Sequence, residues 1–284
     1  MKTTFEHHTN KGNSIKISMY SEAPFGEQPC IIYFHGLKGF KDWGFVPYIG
    51  EFFAKKGYTF LCFNFSHNGI GEKEDEFTEM AKFHLNTHSL EVAEANEIIN
   101  LCAFSNFFGA YLQAPIGVIG HSRGGGVAIL AGQSNKEVNA IATWAAVNTY
   151  ERYDKSTRNE WRKKGFYSLV NARTGQVFTM GLQMLEDIEK NGKGKLNILT
   201  ATQNLDKPLL ILHGNKDGAV PFYEAEQLNM YANAELTDYY LVPEADHTFG
   251  AVHPFAGTTP HLEDVLQKTL AFFDKRLNLP SKNV

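Results

Sequence analysis

Short apolar runs alternate along this chain with longer segments whose apolar residues recur every three to four positions. Ser14 to Tyr20 alternates, with Ile15, Ile17 and Met19 on one side, as an edge strand with one wetted face does. Cys30 to Phe34 and Thr59 to Phe65 are near-continuous apolar runs, the pattern of strands buried on both faces. The same character returns at Ile116 to Ile119, Ala140 to Val147 and Leu209 to Leu212, and Tyr239 to Val242 predicts a last strand. Between them, Ile49, Phe52 and Phe53 mark a helix face that stops at Gly57, and Ala95, Ile98, Ile99 and Cys102 mark another. Leu262, Val265, Leu266, Leu270 and Phe273 predict a terminal helix. The alternation predicts an α/β fold, a mostly parallel sheet with helices on both faces.

The rhythm breaks between Thr149 and Asp206, where no buried strand is legible. Within it, Glu151 to Lys164 holds six basic and three acidic residues around Trp161. This segment reads as a helical cap inserted between two strands, so the expected division is a core of 1–148 and 207–284 and a cap of 149–206. A length of 284 residues agrees, being too long for a minimal domain and near the upper limit of one hydrophobic core. With 43% hydrophobic and 20% charged residues, there is enough apolar surface to offset chain entropy.

Charge and cysteines narrow the function classes. A net charge of −4 and a pI near 6.3 offer no overall electrostatic case for nucleic acid or an anionic membrane. Cys30, Cys62 and Cys102 lie far apart and are odd in number, which suits a reducing compartment rather than a disulfide framework. Met1 to Lys16 lacks the apolar stretch of a secretory signal, and no later run reaches the length of a membrane span. A soluble, cytoplasmic protein is expected.

Directly after Ile116 to Ile119 comes Gly120-His121-Ser122-Arg123-Gly124, a G-x-S-x-G motif that runs into Gly125, Gly126 and a helical pattern. A serine hydroxyl raised at the top of a strand needs a sharp turn, and side chains two positions before or after it would collide with the neighbouring strand and helix. The helix that follows points backbone N–H groups at a developing oxyanion.

Such a serine needs a base, and the base a carboxylate, expected in the chain order Ser, Asp or Glu, His. Asp217 falls in the loop after Leu209 to Leu212, and His247 in the loop after Tyr239 to Val242. Asp246 is a rival acid but, adjacent to His247 in sequence, is poorly placed to reach its Nδ1. His253 and His261 are rival bases, the latter beside Pro260 at a helix start. The oxyanion hole is assigned to the Arg123 and Leu37 amides, the second from the loop His35-Gly36-Leu37-Lys38-Gly39. His35, Gly36, His121 and Phe249 are expected to contact substrate, and Phe40, Trp43, Trp161 and Phe166 are further aromatic candidates for a pocket. His84 and His88, four apart, could share a helix face, but the residue after His84 is not the Glu of a zinc protease, and no metal is expected.

Taken together, His35-Gly36, Gly120 to Gly125, Asp217 and His247 resemble the α/β-hydrolase superfamily over roughly residues 14 to 278, nearest to cinnamoyl-esterase-like, dienelactone-hydrolase-like and prolyl-oligopeptidase-domain-like members. The resemblance implies an eight-stranded, mostly parallel sheet, no cofactor, and a lid after the sixth strand, where the insertion falls. Ser122 in place of Cys or Asp argues against dienelactone hydrolase and haloalkane dehalogenase chemistry. The segment Asn64 to Gly71 departs from the Arg/Asp-rich stretch of many relatives.

The activity implied is a serine esterase acting on a small-molecule ester, with no nucleic-acid or membrane partner and with homodimerisation left open. Because the base must be neutral, activity should fall as pH drops through roughly 6 to 7. The alternatives are a peptidase, with Arg152, Arg158 or Arg162 anchoring a peptide terminus, and a non-catalytic binding protein on the same fold.

Overall fold

The structure, a computed structural model, describes residues 1–171 and 174–277. The main sheet contains β1 (Lys2–His8), β2 (Ser14–Tyr20), β3 (Cys30–Phe34), β4 (Thr59–Phe63), β5 (Ile116–His121), β6 (Val138–Trp144), β9 (Leu209–Gly214) and β10 (Thr237–Val242), while β7 (Phe166–Val170) and β8 (Val177–Gly181) pair with each other. Its order is β1-β2-β4-β3-β5-β6-β9-β10. Strands β4, β3, β5, β6, β9 and β10 run parallel, and β1 and β2 each pair antiparallel with the next strand at one edge. This is the α/β-hydrolase architecture, an eight-stranded mixed sheet sheathed by helices.

The apolar runs divide their residues between two cores, one on each face, as the two-residue period of a strand requires. In β3, Ile31 and Tyr33 join Phe53 of α1 (Val46–Lys55) and Phe273 of α9 (Pro260–Arg276), the helix after α8 (Tyr223–Tyr231). Cys30, Ile32 and Phe34 join Ile98 and Ile99 of α3 (His88–Phe104) and Val127 and Leu130 of α4 (Arg123–Ser134). Each large side chain so buried contributes about 1.5–3 kcal/mol. Hydroxyls define two helix starts: Thr87 accepts from Leu90 N–H at the head of α3, and Thr259 from Leu262 N–H at the head of α9.

Two elements depart from the sequence reading. The polar Lys2–His8 is a strand because its backbone pairs with β2 along its whole length, from Lys2 opposite Tyr20 to His8 opposite Ser14. The segment 149–206 is not purely helical: α5 (Lys155–Lys164), α6 (Leu182–Asn191) and α7 (Ile198–Gln203) are joined by the β7–β8 hairpin. That hairpin is only half buried, so it has no continuous apolar run to betray it. Phe178 of β8 is its anchor, packed edge-on against Phe77 and Phe83, the latter in α2 (Met80–Leu85).

Among the described residues no helix is long and apolar enough to cross a membrane.

Candidate active site

Ser122 sits between the last residue of β5 and the first of α4, with φ 57° and ψ −122°. A side-chain-bearing residue in this region carries strain of order 1–3 kcal/mol, so its surroundings must hold it. Ser122 N–H donates to Trp144 O at 2.8 Å, and Ser122 O accepts from Gly125 N–H at 2.9 Å and Val147 N–H at 3.2 Å. The flanking glycines leave no room for a side chain: a Cβ on Gly120 would lie 2.2 Å from Gly124 O, and one on Gly124 2.2 Å from Phe34 O. Among the described residues the other non-glycine residues with positive φ are Lys38, Ala145, Glu244 and Phe249. All lie in loops following β3, β6 and β10, so backbone strain gathers around the serine.

Asp217 and His247 follow β9 and β10, on the same carboxyl edge of the parallel strands. His247 Nδ1–H donates to Asp217 Oδ2 at 2.7 Å, while Asp217 Oδ1 accepts from the Ala219 and Val220 amides at 2.8 Å. A second imidazole, which sequence reading assigned no role, also reaches this carboxylate: His213 Nε2 is 3.2 Å from Oδ2 and 2.8 Å from Val220 O. Burial by itself would raise the Asp217 carboxyl, but the hydrogen bonds from His213, His247 and the Val220 backbone hold it well below the usual carboxylate range. Asp246 is otherwise engaged, its Oδ1 accepting from the Thr248 and Gly250 amides to shape the loop. His253 Nδ1 accepts from Gly44 N–H, and His261 lies in the first turn of α9.

The loop after β3 touches the serine directly. A Cβ on Gly36 would come 2.9 Å from Ser122 Cβ, so only glycine permits the approach that brings Leu37 alongside. Arg123, first residue of α4, has an N–H without an intrahelical acceptor by position. Its guanidinium turns the other way, into a buried ion pair with Glu91 at 2.6 Å, and Tyr150 Oη donates to Arg123 O at 3.4 Å.

Three side chains expected to contact substrate are buried in the protein. His35 is buried, its Nδ1–H donating to Gly36 O at 2.9 Å and its Nε2 accepting from Phe65 N–H at 3.3 Å. Burial lowers this imidazole to about 4, so it is a neutral brace for the loop. His121 Nε2 donates to the carbonyl of His247 at 2.9 Å, and its ring packs on that of His247 with centroids 4.9 Å apart. Burial, then the charge of His247, lowers His121 to about 3. Phe249 is wholly buried against Trp144.

A cavity of about 590 Å³ opens over Ser122. Leu37, Arg123, Val147, Val220 and His247 line it from the core, and Tyr150, Tyr153, Thr157, Tyr167 and Met180 from the inserted segment. Phe40, Trp43, Trp161 and Phe166 are not in its lining; Phe40 and Trp161 are buried in packing. The tyrosines escaped the sequence reading because they are scattered through a segment without strand periodicity. His84 and His88 do not share a helix, the first closing α2 against Thr179 Oγ1 and the second opening α3 stacked on Tyr150. Among the described residues no group of three or more His, Cys, Asp or Glu side chains could hold a metal.

Fold and site together define a hydrolase of the α/β-hydrolase superfamily. The chain belongs to the prolyl oligopeptidase family, whose model matches residues 43–280. No curated protein sequence matches significantly. Among solved structures, a putative hydrolase from Agrobacterium vitis S4 is similar with TM-score 0.72 and 17% identity, over 96% of this chain and 98% of that one. Est1E from Butyrivibrio proteoclasticus with ferulic acid bound has TM-score 0.70 and 16% identity, over 97% and 100%. A puromycin-hydrolyzing peptidase of Mycobacterium tuberculosis has TM-score 0.70 and 16% identity, over all of this chain and 40% of that one.

Proposed function

We propose that the protein is a carboxylic ester hydrolase working through an acyl-enzyme, with Ser122 as nucleophile, His247 as base and Asp217 as its acid partner. The observation that carries this reading is the 2.7 Å hydrogen bond that His247 Nδ1–H donates to Asp217 Oδ2, on an imidazole that lines the same cavity as the elbow serine. With Nδ1 protonated, Nε2 is the free base. It takes the Ser122 proton as Oγ attacks the ester carbonyl, and the Leu37 and Arg123 amides receive the oxyanion. Collapse breaks the carbonyl–alkoxy bond, and the leaving alcohol takes the proton from Nε2. Water then repeats the sequence on the acyl-serine and releases the acid. The inserted segment 149–206 acts as the cap that selects the substrate.

Family membership favours a second reading, peptide hydrolysis on the same residues. The arginines that would anchor a peptide terminus are already engaged, which supports the ester. Arg152 pairs with buried Glu224 at 2.6 Å, Arg158 Nε donates to Tyr153 O at 2.7 Å, and Arg162 pairs with Glu189. Ser122→Ala should abolish both p-nitrophenyl ester turnover and labelling by a fluorophosphonate; surviving label would mean a different nucleophile. Turnover of aminoacyl anilides in preference to short-chain or feruloyl esters would move the assignment to peptidase.

A further inference from the structure

Behind the carboxylate that faces His247 stands a second, fully buried histidine that is not in the cavity lining. Asp217 Oδ1 accepts from the Ala219 and Val220 amides, both at 2.8 Å, and Oδ2 accepts from His247 Nδ1–H at 2.7 Å. His213 Nε2 lies 2.8 Å from Val220 O and 3.2 Å from Asp217 Oδ2. Both of these neighbours are acceptors, so the ring proton belongs on Nε2, nearer to Val220 and shared with the carboxylate. His213 Nδ1 has no partner, which leaves Nε2 as the one engaged nitrogen of the ring. The contacts close a cycle: Val220 N–H donates to Oδ1, Val220 O accepts from His213, and His213 stands against Oδ2. The carboxylate cannot turn about its Cβ–Cγ bond without disturbing contacts on both oxygens.

The two imidazoles on this carboxylate differ in their freedom. The His247 side chain is 22% exposed, whereas those of His213 and Asp217 are wholly sealed from solvent. His213 is also carried on a rigid element, in β9 opposite Leu241 of β10. The chain just after it is tied to the segment that leads to His247: Asn215 N–H donates to Val242 O at 3.1 Å and Lys216 N–H to Ala245 O at 3.0 Å. A Cβ on Gly214 would lie 2.2 Å from Ala245 O, so the two segments meet backbone to backbone. Burial would raise the Asp217 carboxyl, and among the groups that instead hold it below the usual carboxylate range His213 comes first, ahead of His247.

We propose that His213 is a positioning residue for acyl transfer: it fixes the plane of the Asp217 carboxylate so that Oδ2 meets His247 Nδ1, and it acts through Asp217. The proposal rests on the reading of Ser122, His247 and Asp217 as the reacting set, so fluorophosphonate labelling, which requires no known substrate, is timed beside p-nitrophenyl butyrate turnover. His213→Leu and His213→Phe remove the donor, and His213→Gln keeps an N–H at similar reach. In whichever of the first two melts cooperatively, the labelling rate and kcat should fall about tenfold or more, with KM within about threefold of the parent. His213→Gln should stay within about threefold on all three measures. On an Asp217→Ala background, adding the same substitution should change neither rate by more than about twofold, because its target is gone. A full further loss there, or unchanged rates in the single variants, would overturn the proposal. Labelling indifferent to Asp217→Ala would overturn the reading beneath it; labelling slowed by Asp217→Ala but not by the His213 variants would remove His213 alone. Nitrogen-resolved imidazole NMR of the unaltered protein needs no variant to fold: His213 should carry its proton on Nε2, and a proton on Nδ1 would equally overturn the proposal.

Discussion

Two buried carboxyl groups on α3 are driven in opposite directions by their neighbours. Burial would raise Glu91, but the Arg123 charge outweighs it and brings the group down to about 2. Glu94 has no such cation; burial prevails over the hydrogen bonds from Ser66 and raises it to about 7. The consequences for stability differ in sign. Glu91 contributes stability above the ordinary carboxyl range near 4.3, lost as pH falls toward 2. Folded Glu94 binds its proton more tightly than the unfolded chain does, so its contribution is full below about 4.3 and is lost as pH rises through 7. Glu94→Gln keeps an acceptor for Ser66 N–H and removes that titration. Thermal melts at pH 5.5 and 8 should show the variant losing less stability between them than the parent; equal losses would exclude a titrating Glu94. The candidate catalytic residues were legible because strand-end chemistry admits few residue types. Glu91 and His213 were not, since Glu91 acts through Arg123, 32 positions away, and nothing in the sequence marks His213 as turned toward Asp217.

Among the elements, the β5–Ser122–α4 turn is the most tightly specified. Its glycines are demanded by backbone neighbours, Gly120 by the Gly124 carbonyl within the turn and Gly124 by the Phe34 carbonyl of β3, and backbone cannot step aside as the tip of a long side chain can. Gly124→Ala would place a methyl 2.2 Å from Phe34 O, forcing α4 away from β3. A loss of about 1–3 kcal/mol or more is expected, together with loss of ester turnover. Gly194→Ala is the contrast: its nearest neighbour would be 3.7 Å away, within ordinary contact, and its stability should stay within about 0.5 kcal/mol of the parent. Chemical denaturation of both variants checks the pair, and similar losses would mean that glycine content rather than the close approach sets the cost. The motif was readable because its glycines lie in a short stretch of chain. The β7–β8 hairpin was not, because its stability comes from Phe178 inserted against Phe77 and Phe83 rather than from any apolar run of its own.

At the scale of the whole molecule, the sheet separates two apolar cores and places the candidate site at the carboxyl ends of its parallel strands. All three cysteines are inside those cores, as free thiols with no access to solvent. The folded protein should therefore resist Ellman's reagent and expose all three thiols together in guanidinium, with reaction following global unfolding. Rapid labelling of any one without denaturant would show that its part of the core opens by itself. Burial on two sides makes the central strands continuous apolar runs, and such runs, with the glycines and polar residues at their ends, belong to the local chain. They determined the α/β class, the break in strand rhythm over 149–206, and the chain order of the candidate residues Ser122, Asp217 and His247. Only the tertiary structure decided what each side chain faces. It turned His35, His121 and Phe249 into the protein, brought Tyr150, Tyr153 and Tyr167 over the serine, and set Glu91 against Arg123. Those outcomes depend on packing between segments remote along the chain, and local periodicity carries no record of which remote segment a residue will meet.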